Sequence, residues 1–394
     1  VALPLHVEGW VTLWIKPWGS LFIRLLQLIA VPLIFVTLVK GVAGLQDVSR
    51  FSKLGGKTLL FYLMFIAVSA LFGLSLGSAL RPGKLVGHET VATLQAKYES
   101  TVADKAAAAV EVNQRGPLHF LQEIVPSNIV EAASNNSTIL QVIFFAVLFG
   151  VSMLLIPREQ AKPVVALFEA LDAIIMKMVG LIISTAPIGV TALMAGLVTD
   201  FKGDVSVFGA LGFYALTVIV GLLIIMYLFY PLIIRFFSKI RVRDFVRAMY
   251  PVQLFAFTTS SSAVTLPVNM KAVKEQLGVS DETASFVLPV GVTVNMDGTS
   301  CYQAIAILFI AQVLGVDLTL TQLLTILLMT VLSSIGTPGI PGGSYVILAM
   351  VLTSVGIPPE GLALIIGIDR PLDMLRTAVN VTGDAVVACM IDKK

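Results

Sequence analysis

Charge is what this sequence lacks most. Only 13% of its 394 residues are Asp, Glu, Lys or Arg, about half of the roughly 25% found in ordinary soluble domains. Four stretches carry none at all: Thr58 to Leu80, Ser134 to Pro157, Met178 to Thr199 and Val205 to Ile234. Each is long enough to cross a hydrocarbon layer about 30 Å thick as a helix, which takes about 20 residues. Lipid satisfies no backbone donor or acceptor, so a helix is the reading for each run. With a mean hydropathy of +0.93, the chain reads as an all-α polytopic protein of the cell membrane and not as a soluble domain.

Cysteine and histidine are scarce as well, at 2 and 3 residues. Cys301 and Cys389 stand in apolar surroundings and read as buried structural thiols, not as a disulfide. The histidines form no cluster with them, so a transition-metal centre, a metalloenzyme and a resident cofactor are not expected. A net charge of +2 gives no reason to expect a nucleic-acid partner. The placement of the cations says more. Arg50, Lys53 and Lys57 share one short loop, Arg158 and Lys162 another, Lys239, Arg241, Arg243 and Arg247 a third, and Lys393 and Lys394 end the chain. Excess Lys and Arg in short loops marks the cytoplasmic side. In the 81–118 connection and the 200–204 turn, acidic residues offset the bases. Trp10, Trp14 and Trp18 form an aromatic girdle at the first interface with lipid.

Spans are expected at about 18–46, 57–81, 118–156, 162–199 and 205–238, with 82–117 a polar extracellular excursion. Overlapping glycosylation sequons run from Asn135 to Thr138, and a third, Asn380-Val381-Thr382, falls in an apolar helix by chance. The sequence opens just before a span without an initiator Met or a signal peptide, which raises the expectation of an earlier helix.

What is present, after residue 240, is polarity in the wrong place. "FTTSSSAVTLPVN" (257–269) puts Ser260, Ser261, Ser262 and Pro267 into an apolar region, and "SSIGTPGIPGGSY" (333–345) does the same with prolines and glycines. The second string cannot continue a helix, because proline removes donors and glycine favours irregular backbone. The flanking apolar runs are each about half a membrane long. A re-entrant hairpin satisfies both facts, provided that its tip is buried in protein or lines a cavity. Matched interruptions in two halves point to a transporter site built on inverted repeats; a single loop insertion is the plainer alternative.

The stretch "IDRPLDMLRTAVNVTGD" (368–384) is the densest in polar groups. At 100° per residue, Asp369, Asp373, Arg376, Thr377, Asn380 and Asp384 fall on an arc of roughly 100°, opposite Leu372, Leu375, Ala378, Val379 and Val381. A charge at the bilayer centre costs at least about 2.5–3.5 kcal/mol, so this stripe faces a cavity or the protein interior. A structural ion pair of Asp373 with Arg376 is the bland account, but it leaves Asp369, Asn380 and Asp384 unexplained. Arg376 offers a planar fork for a carboxylate, and Asp373 attracts an ammonium group. Asp384 and Asp297 are hard oxygen ligands suited to Na⁺ or H⁺. "NMDG" (295–298) sits in an apolar helix with no Lys or Arg near Asp297, so either an intramembrane cation or a protonated interface carboxyl is indicated.

Together "SSSAVTLP", "NMDGT", "GTPGIPGG" and "DMLRTAVNVTGD" resemble the dicarboxylate/amino acid:cation symporter family, that of the glutamate transporters. The resemblance runs from the second family helix to the end of the chain. It implies a glutamate-transporter fold of eight transmembrane helices and two re-entrant helical hairpins, the first helix missing here. It also implies a homotrimer working as an elevator in the lipid membrane. Residues 1–50 would open the scaffold, 51–82 carry helix 3 of the transport domain, 83–203 an extracellular loop with scaffold helices 4 and 5, and 204–394 the rest of the transport domain.

The same resemblance implies site residues. Arg376 would hold the substrate's side-chain carboxylate with Thr299, Asp373 the amino group, and Asn380 with Ser262 the α-carboxylate, with Ser261 a further substrate-binding residue. Thr377 would line the pocket, and the tip from Thr337 through Gly339 to Gly343 would gate it. One sodium would sit on Gly291, Asn295, Asn380 and Asp384. A second would sit on Thr293, Ser334, Ile335 and Thr337, with Met296 linking ion to substrate. A third would use Asp297, Asn295 and Ser69. At that third site Phe65 and Val68 replace the Tyr and Thr of archaeal relatives. Relatives for neutral amino acids lack the arginine, and those for C4-dicarboxylates lack the aspartate at position 373. Having both, this chain is expected to be no enzyme but a symporter of glutamate or aspartate, coupled to Na⁺ or, alternatively, H⁺. An intramembrane aspartyl protease and a passive anion channel are the rivals from other classes.

Overall fold

The computed structural model describes residues 9–43, 52–86, 125–134, 138–200, 205–334 and 344–392. Residues 135–137 of the sequons, the polar excursion beyond residue 86, the expected ion-site residue Ile335, and the expected gate residues Thr337 and Gly339 lie outside them. Among the described residues every regular element is helical, as the runs of apolar sequence require. Four helices among the described residues are long and apolar enough to cross a membrane: Val11–Lys40, Gly55–Leu85, Ser206–Phe237 and Pro359–Ile391.

One group of helices packs around α1 (Lys16–Ala43). Phe22, Leu26, Ile29 and Leu33 lie on one buried stripe of it, the spacing of a helix that turns one face inward. Phe35 meets Phe145, Phe149 and Phe168 at ring distances of 5.9, 6.1 and 5.7 Å, which ties α1 to α4 (Ile139–Leu155) and α5 (Arg158–Ser184). Lys40 pairs with Asp172 of α5. Close approach to α6 (Ala186–Asp200) depends on Gly189, where an added Cβ would lie 2.5 Å from the Cβ of Phe22. Trp10, Trp14 and Trp18 are all exposed on one side, as an interfacial girdle requires.

Two expected spans have different boundaries. The 118–156 run contains the short α3 (Ile129–Ala133), capped by the Asn128 side chain, and then α4 starting only at Ile139. The 162–199 run breaks at Thr185 into α5 and α6. Pro187 stands in the first turn of α6, where its missing N–H costs nothing, and the Thr185 hydroxyl donates back to the Ile182 carbonyl at 2.7 Å.

The second group is built around α12 (Asp297–Val313), which is buried along its whole length apart from Gln312. α2 (Ser52–Leu80) runs alongside it in parallel, and glycines set the separation. Gly73 faces Cys301 and Ala304, Gly77 faces Ile305 and Leu308, and Gly83 beyond the helix faces Gln312. That register places Ser69, one turn before Gly73, level with the Asp297 turn. α7 (Val205–Ile224) continues through a π-helical turn (Ile225–Phe229) into α8 (Tyr230–Phe237).

α9 (Val242–Thr259) and α10 (Ser262–Lys271) meet at the serines. Ser260 takes φ 50°, a left-handed conformation unusual for a residue with a side chain. The Ser261 side chain then caps α10 by accepting from the Val264 amide. The apolar segment is thus interrupted where the sequence turns polar. α11 (Asp281–Val294) stops two residues before α12: Asn295 and Met296 are not helical. The expected continuous helix through "NMDG" is broken there, because Asn and Asp compete for local backbone groups. α13 (Leu320–Ser334) and α14 (Ser344–Ser354) follow, tied near their outer ends by Gln322 donating to the Val355 carbonyl at 2.8 Å. α15 (Asp369–Ile391) closes the core, with Pro371 in its first turn and burial on all sides from Arg376 to Cys389.

Candidate functional site

α15 presents its polar stripe to the interior in two successive clusters. The upper one centres on Arg376, which is 1% exposed. Its Nη2 donates to Asp373 Oδ1 at 2.7 Å, one turn back, and to Asp369 Oδ2 at 3.2 Å, two turns back. Its guanidinium carbon lies 3.9 Å over the ring of Tyr302 from α12, a cation–π contact. Among the described residues Nε and Nη1 have no hydrogen-bond partner. A buried guanidinium with unspent donors is costly, and its planar fork is chemically suited to an anion. Arg370 is exposed and approaches Asp373 at 3.7 Å. Asp369, which the stripe alone could place but not explain, is the second counter-charge of Arg376.

Below this, Asn380 joins α15 to the broken start of α12. Its Oδ1 accepts from the Gly298 amide at 2.8 Å, and its Nδ2 donates to Thr299 Oγ1 at 3.2 Å and to Met296 Sδ at 3.3 Å. Gly298 permits the approach, since a Cβ there would lie 2.7 Å from the Arg376 carbonyl.

The lower cluster holds two carboxylates without an ion pair among the described residues. Asp384 Oδ1 accepts from Asn295 Nδ2 at 2.9 Å, and the same nitrogen reaches the Asn380 carbonyl at 3.4 Å. Gly291 on α11 comes so close that any Cβ would overlap Asp384, and it would stand 2.6 Å from the Tyr62 hydroxyl. Asp297 Oδ2 accepts from the Tyr230 hydroxyl at 2.6 Å. A Cβ at Gly383 would lie 2.5 Å from that oxygen and 2.7 Å from both Asn295 Nδ2 and the Tyr230 hydroxyl, so these groups converge on one point. Asp297 Oδ1, Asn295 Oδ1 and Ser69 Oγ are buried without a hydrogen-bond partner among the described residues. Buried oxygens are rarely left so, and oxygens of this kind suit a hard cation.

The structure therefore brings together Arg376 with Asp373, Asn380 with Thr299 and Met296, and Asn295 with Asp384 and Gly291. Ser261 and Ser262 are buried at the α9–α10 turn, and Ser334 is buried at the end of α13. Thr293 is exposed, and its hydroxyl donates to the Val290 carbonyl at 3.0 Å. The Thr377 hydroxyl likewise bonds its own helix, at the Asp373 carbonyl. Of the two replaced residues on α2, Val68 is 38% exposed and lies off the site, whereas Phe65 is buried with its ring 6.2 Å from that of Tyr230. Two tyrosine hydroxyls stand by the lower cluster: Tyr62 from α2, donating to the Val287 carbonyl at 2.9 Å, and Tyr230 from α8, donating to Asp297. Tyr62, Tyr230, Tyr302 and Asp369 are the residues that the motifs did not single out as part of the site. The available signal was a tyrosine within an apolar helix, which needs a polar partner once buried.

Apolar helices enclosing a charged core define a multi-pass membrane protein whose polar groups face inward. The chain belongs to the sodium:dicarboxylate symporter family, which it matches over residues 5–394. It is 35% identical over 387 residues to the proton/glutamate-aspartate symporter of Escherichia coli (strain K12), covering 96% of this chain and 85% of that one. It is 34% identical over 384 residues to the proton/sodium-glutamate symport protein of Bacillus subtilis (strain 168), covering 96% and 86%. It is 35% identical over 383 residues to the C4-dicarboxylate transport protein of Paraburkholderia phymatum, covering 95% and 85%. The family is one of transporters, not of enzymes. The chain is accordingly a symporter of the cell membrane, with cation coupling as the family's mode of work.

Proposed function

We propose that the protein takes up glutamate or aspartate together with Na⁺. The observation that carries this reading is the Arg376 cluster: a buried guanidinium with two free nitrogens beside a carboxylate that can turn to an ammonium group. Arg376 Nε and Nη1 take the substrate's side-chain carboxylate as a planar fork, and Asp373 takes the amino group. Asn380, Thr299 and the Ser261–Ser262 turn take the α-carboxylate, with Thr377 lining the pocket. A C4-dicarboxylate would leave Asp373 facing a second anion.

Na⁺ is carried as cargo. One ion rests on Asp384 with oxygens of Gly291, Asn295 and Asn380, and another on the free oxygens of Asp297, Asn295 and Ser69. A further one rests on carbonyls of Thr293, Ser334, Ile335 and Thr337, with Met296 between ion and substrate. The α9–α10 and α13–α14 pairs act as re-entrant hairpins. The stretch holding Thr337 and Gly339 gates the pocket. The second helix group moves as an elevator against the α1, α4, α5 and α6 scaffold in a homotrimer. Proton coupling is the second reading, favoured by Phe65 standing against Tyr230 and by relatives named as proton symporters.

Uptake of radiolabelled aspartate into proteoliposomes, with Na⁺ and H⁺ gradients imposed separately, tests both. Uptake driven by Na⁺ alone and unaffected by excess succinate is expected. Uptake driven only by H⁺ would replace sodium with the second reading, and succinate outcompeting aspartate would remove Asp373 from the amino-group role.

A further inference from the structure

A second contact between the helices that carry the lower cluster lies at the far end of both. Asp392, the residue after α15, turns its carboxylate onto the start of α11. Its Oδ2 accepts from the Ser280 amide at 3.1 Å, and its Oδ1 accepts from Ser280 Oγ at 2.7 Å and Thr283 Oγ1 at 3.1 Å. Ser280 is itself the N-cap of α11. The carboxylate from α15 is thus a second cap, placed where the dipole of α11 favours an anion.

α11 and α15 run antiparallel from this point. Eleven residues further along α11 stands Gly291, and eight residues back along α15 stands Asp384. There the two helices touch so closely that Gly291 admits no side chain, and Asn295 donates to Asp384 at 2.9 Å. The pair is tied at two levels, with only apolar packing between. Beside the outer tie is a cavity of about 590 Å³ lined by Phe237, Lys239, Leu277, Gly278, Cys389 and Asp392, among others. Close-packed interiors resist displacement, whereas this space lets the end of α15 swing once it is released.

We propose that Asp392 is a positioning residue for the cation site: by clasping α15 to the start of α11 it sets the approach of Gly291 and Asn295 to Asp384. This rests on the reading that those oxygens hold the coupling cation. Ion ligands gain affinity from outer groups that fix their orientation, commonly by about 10–100-fold, and a clasp two turns beyond Asp384 acts on the whole helix pair.

The test uses the full chain in proteoliposomes, measuring aspartate uptake against the concentration of the driving cation for Asp392→Ala, Thr283→Val and Asp384→Asn. Labelling of Cys389 by a maleimide, in a Cys301→Ser background, reports the clasp directly, because Cys389 is 4% exposed while it is closed. Asp392→Ala is expected to raise the half-saturating cation concentration on the order of tenfold, with the maximal rate at saturating cation nearly unchanged and Cys389 labelled faster. Thr283→Val, which removes a single donor and folds most safely, is expected to show a smaller shift in the same direction. Faster labelling with unchanged cation half-saturation would overturn the proposal, leaving the clasp only a structural tie. If Asp384→Asn also left the cation dependence unaltered, the cation-site reading would have failed, and not the clasp.

Discussion

The Arg376 cluster and the Asp297–Asp384 cluster lie along the same face of α15, yet they are balanced in opposite ways. In the first, one guanidinium answers two carboxylates, Asp369 and Asp373. In the second, two buried carboxylates have only neutral donors among the described residues, Asn295 and Tyr230. The first carries its own cation and keeps donors to spare, so it can receive an anion by exchanging partners. The second carries none among the described residues, and isolated buried anions are strongly penalised, so a metal cation or a proton is what would balance it. One helix thereby offers adjacent sites with opposite demands. Asn380, bonded to Met296 and Thr299 on one side and touching Asn295 through its carbonyl on the other, links them.

Removing the cation of the first cluster should have the largest effect. Arg376→Ala leaves buried Asp369 without a counter-charge and Asp373 with only the exposed Arg370 at 3.7 Å, and breaking a buried pair costs about 3–5 kcal/mol. Aspartate uptake is expected to fall by at least about a hundredfold by the same measure; wild-type aspartate affinity in this variant would take Arg376 out of the site. Asp384→Asn keeps the shape and removes one anion of the second cluster. Cation dependence should then weaken by about 10–100-fold, as for loss of a charged ligand, while binding of aspartate at saturating cation persists. Loss of aspartate binding at every cation concentration would mean that the two clusters are one site. Asp373→Ala is smaller and selective. Preference should move from aspartate toward succinate by about tenfold, the worth of one charge-assisted contact, as read by competition uptake.

The apolar runs made the helices legible because lipid leaves the backbone no other solution. "SSS" made the α9–α10 break legible, since serines serve as caps and interrupt apolar packing together. The stripe on α15 was legible from periodicity alone, because a charged arc on an apolar helix has one place to go. What stayed hidden depended on distance in the chain. Tyr230 meets Asp297 across 67 residues, and Asn295 meets Asp384 across 89; no local pattern encodes either pairing. The break at Asn295–Met296 is a local feature that hydropathy misses, because Val294 and Met296 are as apolar as any helix interior.

Tyr230 gives the finest probe of what the second cluster receives. Tyr230→Phe keeps the ring that packs against Phe65 at 6.2 Å and removes only the hydroxyl that donates to Asp297 at 2.6 Å. Leaving one oxygen of a buried carboxylate without its donor should cost about 1–3 kcal/mol of stability, read as a lower thermal midpoint in detergent. If sodium binds the unpartnered oxygens of Asp297, Asn295 and Ser69, loss of the hydroxyl that shares Asp297 with the ion changes the sodium affinity, and with it the stabilisation that binding gives by mass action. The deficit should then differ between NaCl and choline chloride at constant ionic strength. An equal deficit in both salts would mean that Asp297 takes no sodium, and the second cluster would then answer its missing charge with a proton.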